Sequence, residues 1–156
     1  MFLTWLKSFN SRPSSGGNFY LKIKAILHQS PQDIRLYELA LIHSSASQEL
    51  KGQKLNNERL EFLGDAILGA VITDYIYRKY PQKEEGELTN LRSKLVSRRH
   101  LNELGLSLGL DELLSFNPSR GTRAKSIYGD AFEALIGALY LDLGYSACVN
   151  FLEKRI

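Results

Sequence analysis

Residues 60–72 read Leu60-Glu61-Phe62-Leu63-Gly64-Asp65-Ala66-Ile67-Leu68-Gly69-Ala70-Val71-Ile72. Apart from Glu61 and Asp65, every residue of this segment is apolar or glycine, which is typical of a helix buried on all sides. At about 100° per residue, the two acids share one stripe with Glu58. Towards the C-terminus the same stripe continues with apolar side chains, at Leu68, Ile72 and Ile76. The acids therefore lie on a line that leads into the predicted core.

A second segment repeats this conflict between acidic and apolar residues. Residues 129–141 are otherwise apolar, aromatic or glycine and contain only two acids, Asp130 and Glu133. A spacing of three residues places both acids on one face of a helix. Either pair alone is typical of a helix surface that faces solvent. Two core-like helices with the same pair of acids favour a shared site instead.

Such carboxylates must be paired, protonated or bound to a cation, because an isolated buried charge is costly. Basic side chains are scarce on both segments: only Arg59 lies between Lys54 and Arg78, and none lies between Lys125 and Lys154. The four acids therefore predict a hard divalent cation, Mg²⁺, which prefers oxygen ligands. Small residues on both helices would allow their axes to approach to about 8 Å.

The rest of the chain also predicts helices. Capping and stop signals place them from Ser30-Pro31 through Leu41, from Asn57 to just before Pro81, from Glu87 to Leu104, from Ala124 to Leu143, and from Ser146 onwards. No Asn-Gly turn and no sustained alternation of apolar and polar residues occur, so strands are not required. The predicted fold class is all-α, a compact helical bundle.

The length and composition indicate a single globular domain. The chain has 156 residues, of which 44% are hydrophobic and 24% charged. The breaker Pro13-Ser14-Ser15-Gly16-Gly17 predicts a flexible basic arm over residues 1–17 and a folded domain over 18–156. No apolar run approaches the ~20 residues of a membrane span, and a single cysteine fits a reducing compartment. A cytoplasmic protein without a membrane partner is expected.

The basic residues are distributed unevenly along the chain. Residues 88–125 contain seven basic and three acidic side chains, although the net charge of the whole chain is only +3. Such asymmetry suits a polyanionic partner such as nucleic acid. A run of charges is also typical of an ordinary solvated face.

The two acidic segments resemble the sequence motifs of the ribonuclease III endonuclease domain. The first motif is Asn57-Glu58-Arg59-Leu60-Glu61-Phe62-Leu63-Gly64-Asp65-Ala66, and the second is Gly129-Asp130-Ala131-Phe132-Glu133-Ala134. The resemblance covers roughly residues 20–156. It implies an all-helical domain that forms a homodimer and cleaves double-stranded RNA with Mg²⁺, for which Mn²⁺ is expected to substitute. The separate double-stranded-RNA-binding domain usual in the family is not expected in this chain.

The resemblance also implies roles for individual residues by their motif positions. The metal-binding acids would be Glu61, Asp65, Asp130 and Glu133, of which Asp65 and Glu133 are the catalytic candidates. Glu58 and Glu85 correspond to auxiliary acids that line the cleft. Phe62 corresponds to an aromatic knob that enters a socket on the partner subunit.

Four basic residues are candidates for contacts with RNA phosphates, all on the helix predicted after Glu85. They are Arg92, Lys94, Arg98 and Arg99. Binding through such contacts weakens steeply as salt rises. The alternative is that some of them only solubilise the surface.

The function implied is hydrolysis of phosphodiester bonds in double-stranded RNA, for processing of rRNA or mRNA or for decay. Each subunit of the dimer would cut one strand and leave a 5′-phosphate and a 3′-hydroxyl. The alternative is a non-catalytic relative that binds RNA or serves as a structural subunit of a ribonucleoprotein. Loss of some acids is expected in such a relative, and all of them are present here. An all-α prenyl-transfer enzyme would require Asp-Asp-x-x-Asp runs, which the sequence lacks.

Overall fold

A computed structural model describes residues 16–50, 52–120 and 126–156. Within these ranges the chain forms seven α-helices and one β-hairpin. In chain order they are α1 (Gly16–Leu27), α2 (Ile34–Ala40), β1 (Gln48–Leu50), β2 (Gln53–Leu55), α3 (Glu58–Lys79), α4 (Glu85–Leu95), α5 (Arg98–Ser107), α6 (Ile127–Leu143) and α7 (Tyr145–Glu153). None of the helices in these ranges has the length and hydropathy needed to cross a membrane.

The central element of the bundle is α6. Its side chains at Phe132, Leu135, Ile136 and Leu139 are fully buried. Four other helices, α2, α3, α5 and α7, pack against it. The prediction of an all-α helical bundle is therefore confirmed.

The start of α2 is anchored on the last turns of α6. The Asp142 carboxylate accepts the backbone N–H groups of Gln32 at 3.0 Å and Asp33 at 2.7 Å. It also accepts the hydroxyl of the fully buried Tyr37 at 2.8 Å. Because α2 is fixed to the central helix in this way, the segment that follows α2 has a defined path along the bundle.

The hairpin between α2 and α3 corrects the expectation that no strands are needed. Its strands pair antiparallel, with Gln48 opposite Leu55 and Leu50 opposite Gln53. Gly52 in the turn has a φ of +77°, a conformation that glycine adopts without a steric penalty. Strands of three residues are too short for alternation to be visible in the sequence. The turn contains no Asn-Gly pair, so the usual sequence signal of a hairpin is also absent.

A second correction concerns the helix predicted from Glu87 to Leu104, which is two helices. The chain breaks after α4, and the Ser97 side chain accepts the backbone N–H of His100 at 3.3 Å as the N-cap of α5. The four basic candidates are therefore not on one helix after Glu85. Arg92 and Lys94 lie on α4, whereas Arg98 and Arg99 begin α5.

Other helix starts also differ from the predicted ones: α4 begins at Glu85 rather than Glu87, and the start predicted for α6, Ala124, lies outside the described residues. At α2, Asp33 rather than Ser30 is the N-cap, and its carboxylate accepts the N–H of Arg35. The helix α7 begins at Tyr145, so Ser146 is inside it rather than capping it. Gly16 and Gly17, predicted to belong to the arm, are the first residues of α1. The rest of the predicted arm, residues 1–15, lies outside the described residues.

The composition of the long helix α3 predicts that it is buried on all sides, but only one side is buried. Leu60, Leu68, Ile72 and Ile76 face the core. The opposite side presents an exposed row of mostly small or aromatic side chains, which we call the α3 stripe. It consists of Phe62, Ala66, Ala70, Thr73 and Tyr77.

Candidate active site

Two glycines allow α3 and α6 to pack with their backbones in direct contact. A Cβ atom on Gly64 would overlap the backbone oxygen of Glu133, and one on Gly137 would overlap that of Leu60. Only glycine therefore fits at these two positions. The close contact brings the acids of both helices to the same side of the bundle.

Three of the predicted acids meet in one cluster. Carboxylate oxygens of Glu61, Asp130 and Glu133 lie within 4.8 Å of one another, and all three residues are half-buried. We call these three residues the acid cluster. Asp65 follows one turn after Glu61 on α3 and is more exposed. It lines the same cleft, but its carboxylate is not part of the cluster.

The acid cluster forms one wall of a cleft of about 700 Å³. Side chains from α3, α5 and α6 line this cleft, together with residues that follow α2 and precede α6. Phe62 stands at its edge with 83% of its surface exposed. The cleft is therefore open to solvent, while its acids are partly buried.

Burial and mutual repulsion disfavour the ionised acids. Burial, followed by the charges of Asp65 and Glu61, raises the pKa of Glu133 to about 8. Burial, followed by the charges of Asp130 and Glu58, raises the pKa of Glu61 to about 6. Burial also raises the pKa of Asp130 above its usual range. A divalent cation would relieve this repulsion, and carboxylate oxygens are the ligands that Mg²⁺ prefers, so the residues present fit the metal.

Arg98 supplies a positive charge to the same cleft. Its charge opposes the rise in pKa of Glu61, Asp130 and Glu133. Among the described residues, however, no ion pair within 4.0 Å joins Arg98 to an acid. Arg98 therefore acts on the cluster through space and does not neutralise it by contact. Arg98 lies outside the two acidic segments, so the sequence of these segments does not indicate it. The break before α5 brings it to the cleft.

The other predicted residues are distributed more widely. Glu58 lines the cleft, but Glu85 does not, and its carboxylate accepts the Thr89 hydroxyl at 2.8 Å on the surface of α4. Arg92 lines an adjoining groove beside the α3 stripe. The exposed Lys94 and Arg99 line neither the cleft nor this groove.

Among the polar residues that line the cleft, His43 and Asn57 were not predicted to belong to the site. The sequence predicts Asn57 only as the start of a helix, and it gives no signal for His43. Asn57 occupies the N-cap position, but its side chain makes no capping hydrogen bond. The sequence offers no signal for this difference, because asparagine is a residue expected at a helix N-cap.

Comparison with known proteins gives consistent results. Residues 33–156 match the family model described as Ribonuclease-III-like. The protein named Ribonuclease 3 of Phocaeicola vulgatus is 51% identical over 138 residues, which cover 88% of this chain and 45% of the relative. Ribonuclease 3 of Zunongwangia profunda is 46% identical over 148 residues, or 94% of this chain and 61% of the relative. The chain thus spans about half the length of the curated relatives it matches.

Among solved structures, the fold is similar to a nuclease domain of ribonuclease III from Campylobacter jejuni. That domain superposes with a TM-score of 0.76 and 34% sequence identity, over 85% of this chain and 92% of the domain. The range matched by the family model includes the residues of the acid cluster and both glycines at the contact between α3 and α6. The chain therefore belongs to the ribonuclease III family, whose model matches residues 33–156.

Proposed function

We propose that this chain is a Mg²⁺-dependent endoribonuclease that hydrolyses phosphodiester bonds in double-stranded RNA. The observation that carries the proposal is the acid cluster, in which three half-buried carboxylates from two helices lie within 4.8 Å of one another. Family membership supports the same reaction. Mn²⁺ is expected to substitute for Mg²⁺ because it also accepts oxygen ligands.

Glu61, Asp65, Asp130 and Glu133 are the residues that would hold the metal. When bound, Mg²⁺ supplies an activated water and stabilises negative charge on the phosphate. The contact between Gly64 and Gly137 fixes the two helices, so the carboxylates are held in place before substrate binds. Arg98 places a positive charge beside this acidic site, which favours the approach of a phosphate.

The RNA backbone is proposed to lie across α4 and α5. Arg98 lines the cleft, Arg92 lines the adjoining groove, and the two depressions share Asp65 and Val96. The groove itself is lined mainly by α3, including most residues of the α3 stripe, so a strand would reach the acids through the cleft beside Arg98, with Arg92 at its margin. Recognition would depend on duplex shape, because contacts to A-form RNA go mainly to phosphates and 2′-hydroxyls.

The active form is proposed to be a homodimer with Phe62 inserted into a socket on the partner subunit. Support comes from the α3 stripe, which leaves apolar side chains exposed beside the cleft. The Campylobacter jejuni nuclease domain is itself described as having a region involved in dimer formation. In a twofold dimer, each subunit would cut one strand and leave a 5′-phosphate and a 3′-hydroxyl. Such cuts would serve processing of rRNA or mRNA, or decay.

Cleavage of a perfectly paired RNA duplex in the presence of Mg²⁺ tests this function. Asp65→Asn and Glu133→Gln should both fold and should lose cleavage by orders of magnitude, because each removes a charged metal ligand. The matched controls are Asp111→Asn and Glu103→Gln, which change exposed acids outside the cleft. Both controls should cleave at the rate of the unchanged protein.

The same assay separates the competing interpretations. Unchanged cleavage by Asp65→Asn or Glu133→Gln would remove that residue from the site. If the unchanged protein bound the duplex but did not cut it with Mg²⁺ or Mn²⁺, the chain would be a non-catalytic RNA-binding relative instead.

A further inference from the structure

The first turn of α6 is capped by a residue from another helix. A serine at an N-cap usually accepts a backbone N–H two or three residues later. At the start of α5 it does so, because the Ser97 hydroxyl accepts the N–H of His100 at 3.3 Å. Ser126 is the N-cap of α6, yet its side chain makes no capping hydrogen bond. The N–H of Gly129, three residues later, donates instead to Oδ1 of Asn102 on α5, at 3.3 Å.

The Ser126 hydroxyl makes a different contact. It donates to Oδ2 of Asp130 at 3.3 Å. Asp130 belongs to the acid cluster, and both residues line the cleft. A carboxylate has two oxygens, so a hydroxyl that holds one of them restricts rotation of the group and leaves the other oxygen free to bind a cation.

Close backbone packing fixes α5 against the same turn of α6. A Cβ atom on Gly105 would overlap the backbone oxygen of Tyr128, so only glycine fits there. A Cβ atom on Gly129 would lie 3.3 Å from the backbone nitrogen of Asn102. Asn102 is half-buried and, unlike its neighbour Leu101, does not line the cleft. Any effect of the Asn102 side chain on the site therefore passes through α6.

Capping alone does not account for this arrangement. Asn102 stabilises α6 as any cap would, because the first N–H groups of a helix have no partner within it. If capping were the only requirement, Ser126 would supply it locally, as Ser97 does in α5. The use of Asn102 frees the Ser126 hydroxyl for an acid that the rest of the cluster repels.

We propose that Ser126 and Asn102 are positioning residues for Asp130, with Ser126 orienting its carboxylate for the cation and Asn102 supplying the cap that releases Ser126 for this task. The inference rests on the proposed function, because it deepens the assignment of Asp130 as a metal ligand. Loss of such an outer partner typically lowers metal affinity by about 10- to 100-fold. Since both hydrogen bonds are long, we expect the lower end of that range.

Calorimetric titration with Mg²⁺ in the absence of RNA tests the role of Ser126. We expect Ser126→Ala to bind Mg²⁺ about 10-fold more weakly than the unchanged protein, because the Asp130 carboxylate is no longer held. Ser126→Thr keeps a hydroxyl and should restore the affinity. The matched control is Ser107→Ala on α5, an exposed serine outside the cleft whose hydroxyl donates to the Leu104 carbonyl. It should bind Mg²⁺ as the unchanged protein does.

The thermal midpoint of the metal-free protein tests the cap itself. Asn102→Ala and Ser97→Ala each remove a capping hydrogen bond and should lower the midpoint by about 2–4 °C. Ser126→Ala should lower it by less, since water in the open cleft can replace the hydroxyl at the carboxylate. Asn150→Ala, at an exposed position of α7, should match the unchanged protein. If Ser126→Ala lowered the midpoint as much as Asn102→Ala or more, Ser126 would be an ordinary cap and the proposal would be wrong.

A double variant tests whether Asn102 acts through Ser126. In Asn102→Ala the Gly129 N–H loses its partner, and we expect the Ser126 hydroxyl to turn to it and away from Asp130. Mg²⁺ affinity should therefore fall in Asn102→Ala, although Asn102 does not line the cleft. Adding this change to Ser126→Ala should cause no further loss of affinity. Additive losses, or an unchanged affinity in Asn102→Ala, would refute the link between the two residues.

The proposed function and this inference fail separately. If the unchanged protein cleaves duplex RNA with Mg²⁺ but Ser126→Ala binds Mg²⁺ equally well, Ser126 is not a positioning residue and the function stands. If the unchanged protein neither binds Mg²⁺ nor cuts RNA, the proposed function fails, and the role towards the cation fails with it. The order of the metal-free thermal midpoints then still decides whether Asn102 replaces Ser126 as the cap of α6.

Discussion

Glu133 holds its carboxylate where burial and the charges of Asp65 and Glu61 oppose ionisation, which raises its pKa to about 8 from an ordinary value of 4.5. Between these two values the folded protein binds more protons than the unfolded chain. The free energy of unfolding therefore falls as pH rises through this range, and it is not changed further by Glu133 above it. Glu61 acts in the same direction up to about pH 6.

This linkage predicts how pH and metal affect the metal-free domain. In the presence of a chelator, stability in urea should decrease from about pH 5 to about pH 8, and Mg²⁺ should restore it at pH 8. Glu133→Gln should show a flatter profile and exceed the unchanged protein in stability at pH 8 without metal. The difference between the two profiles isolates this residue from the other titrating groups. Glu103→Gln, a change at an exposed acid, should follow the unchanged protein, and a Glu133→Gln profile that did so too would contradict the prediction.

The limits of the sequence are visible at the same scale. The spacing of acids on two apolar segments was enough to predict that they converge, and the structure brings Glu61, Asp130 and Glu133 together. It could not place Arg98 or His43 in the cleft, because each arrives from a segment whose path depends on tertiary contacts. Asn57 occupies the predicted cap position, but its side chain makes no capping hydrogen bond.

Among the secondary-structure elements, the contact between α3 and α6 determines the geometry of the site. The helices touch through Gly64 and Gly137, where any side chain would overlap the backbone of the other helix. The strict requirement for glycine arises from this contact and not from φ, since both residues are helical. Small residues on both helices were predicted to allow close approach, and Gly64 and Gly137 do so, whereas Ala66 and Ala70 lie on the exposed α3 stripe instead.

Gly64→Ala should therefore separate the two helices. We expect a loss of about 3 kcal/mol or more in the free energy of unfolding, because the added methyl group overlaps the Glu133 backbone. Mg²⁺ affinity should fall as well, since Glu133 moves away from Glu61. The matched control is Gly86→Ala in α4, where nothing lies within 4 Å of the added Cβ. That change should leave stability unchanged or raise it by up to about 1 kcal/mol, and an equal effect of both substitutions would contradict the contact.

Element boundaries were predictable where they depend on local signals. The long helix ends at Lys79, before Pro81, and α6 ends at Leu143, before Gly144, as predicted. The hairpin and the break between α4 and α5 were missed. In both, the decisive signal is one residue, Gly52 or Ser97, within a pattern that otherwise favours a different structure. A single residue of this kind indicates a turn or a helix start only when the packing around it is known.

At the scale of the whole molecule, the α3 stripe is the feature that packing within one chain does not explain. Phe62 is 83% and Tyr77 69% exposed on a helix whose composition is that of a core. Contiguous apolar surface of this kind is usual where another protein binds. The proposed homodimer would cover it and would explain why α3 is apolar on both faces. The single chain shows only one of the two surfaces that this helix was predicted to bury.

If the stripe is the dimer interface, Phe62 should control the oligomeric state. We expect the unchanged protein to sediment as a dimer at micromolar concentration, with a thermal midpoint that rises with protein concentration. Phe62→Ala should sediment as a monomer, with a midpoint independent of concentration, because it removes the largest side chain of the exposed stripe. The matched control is Leu21→Ala, which truncates another exposed apolar residue, on α1, and should remain dimeric. A monomeric unchanged protein, or a dimeric Phe62→Ala, would show that the stripe has a different occupant.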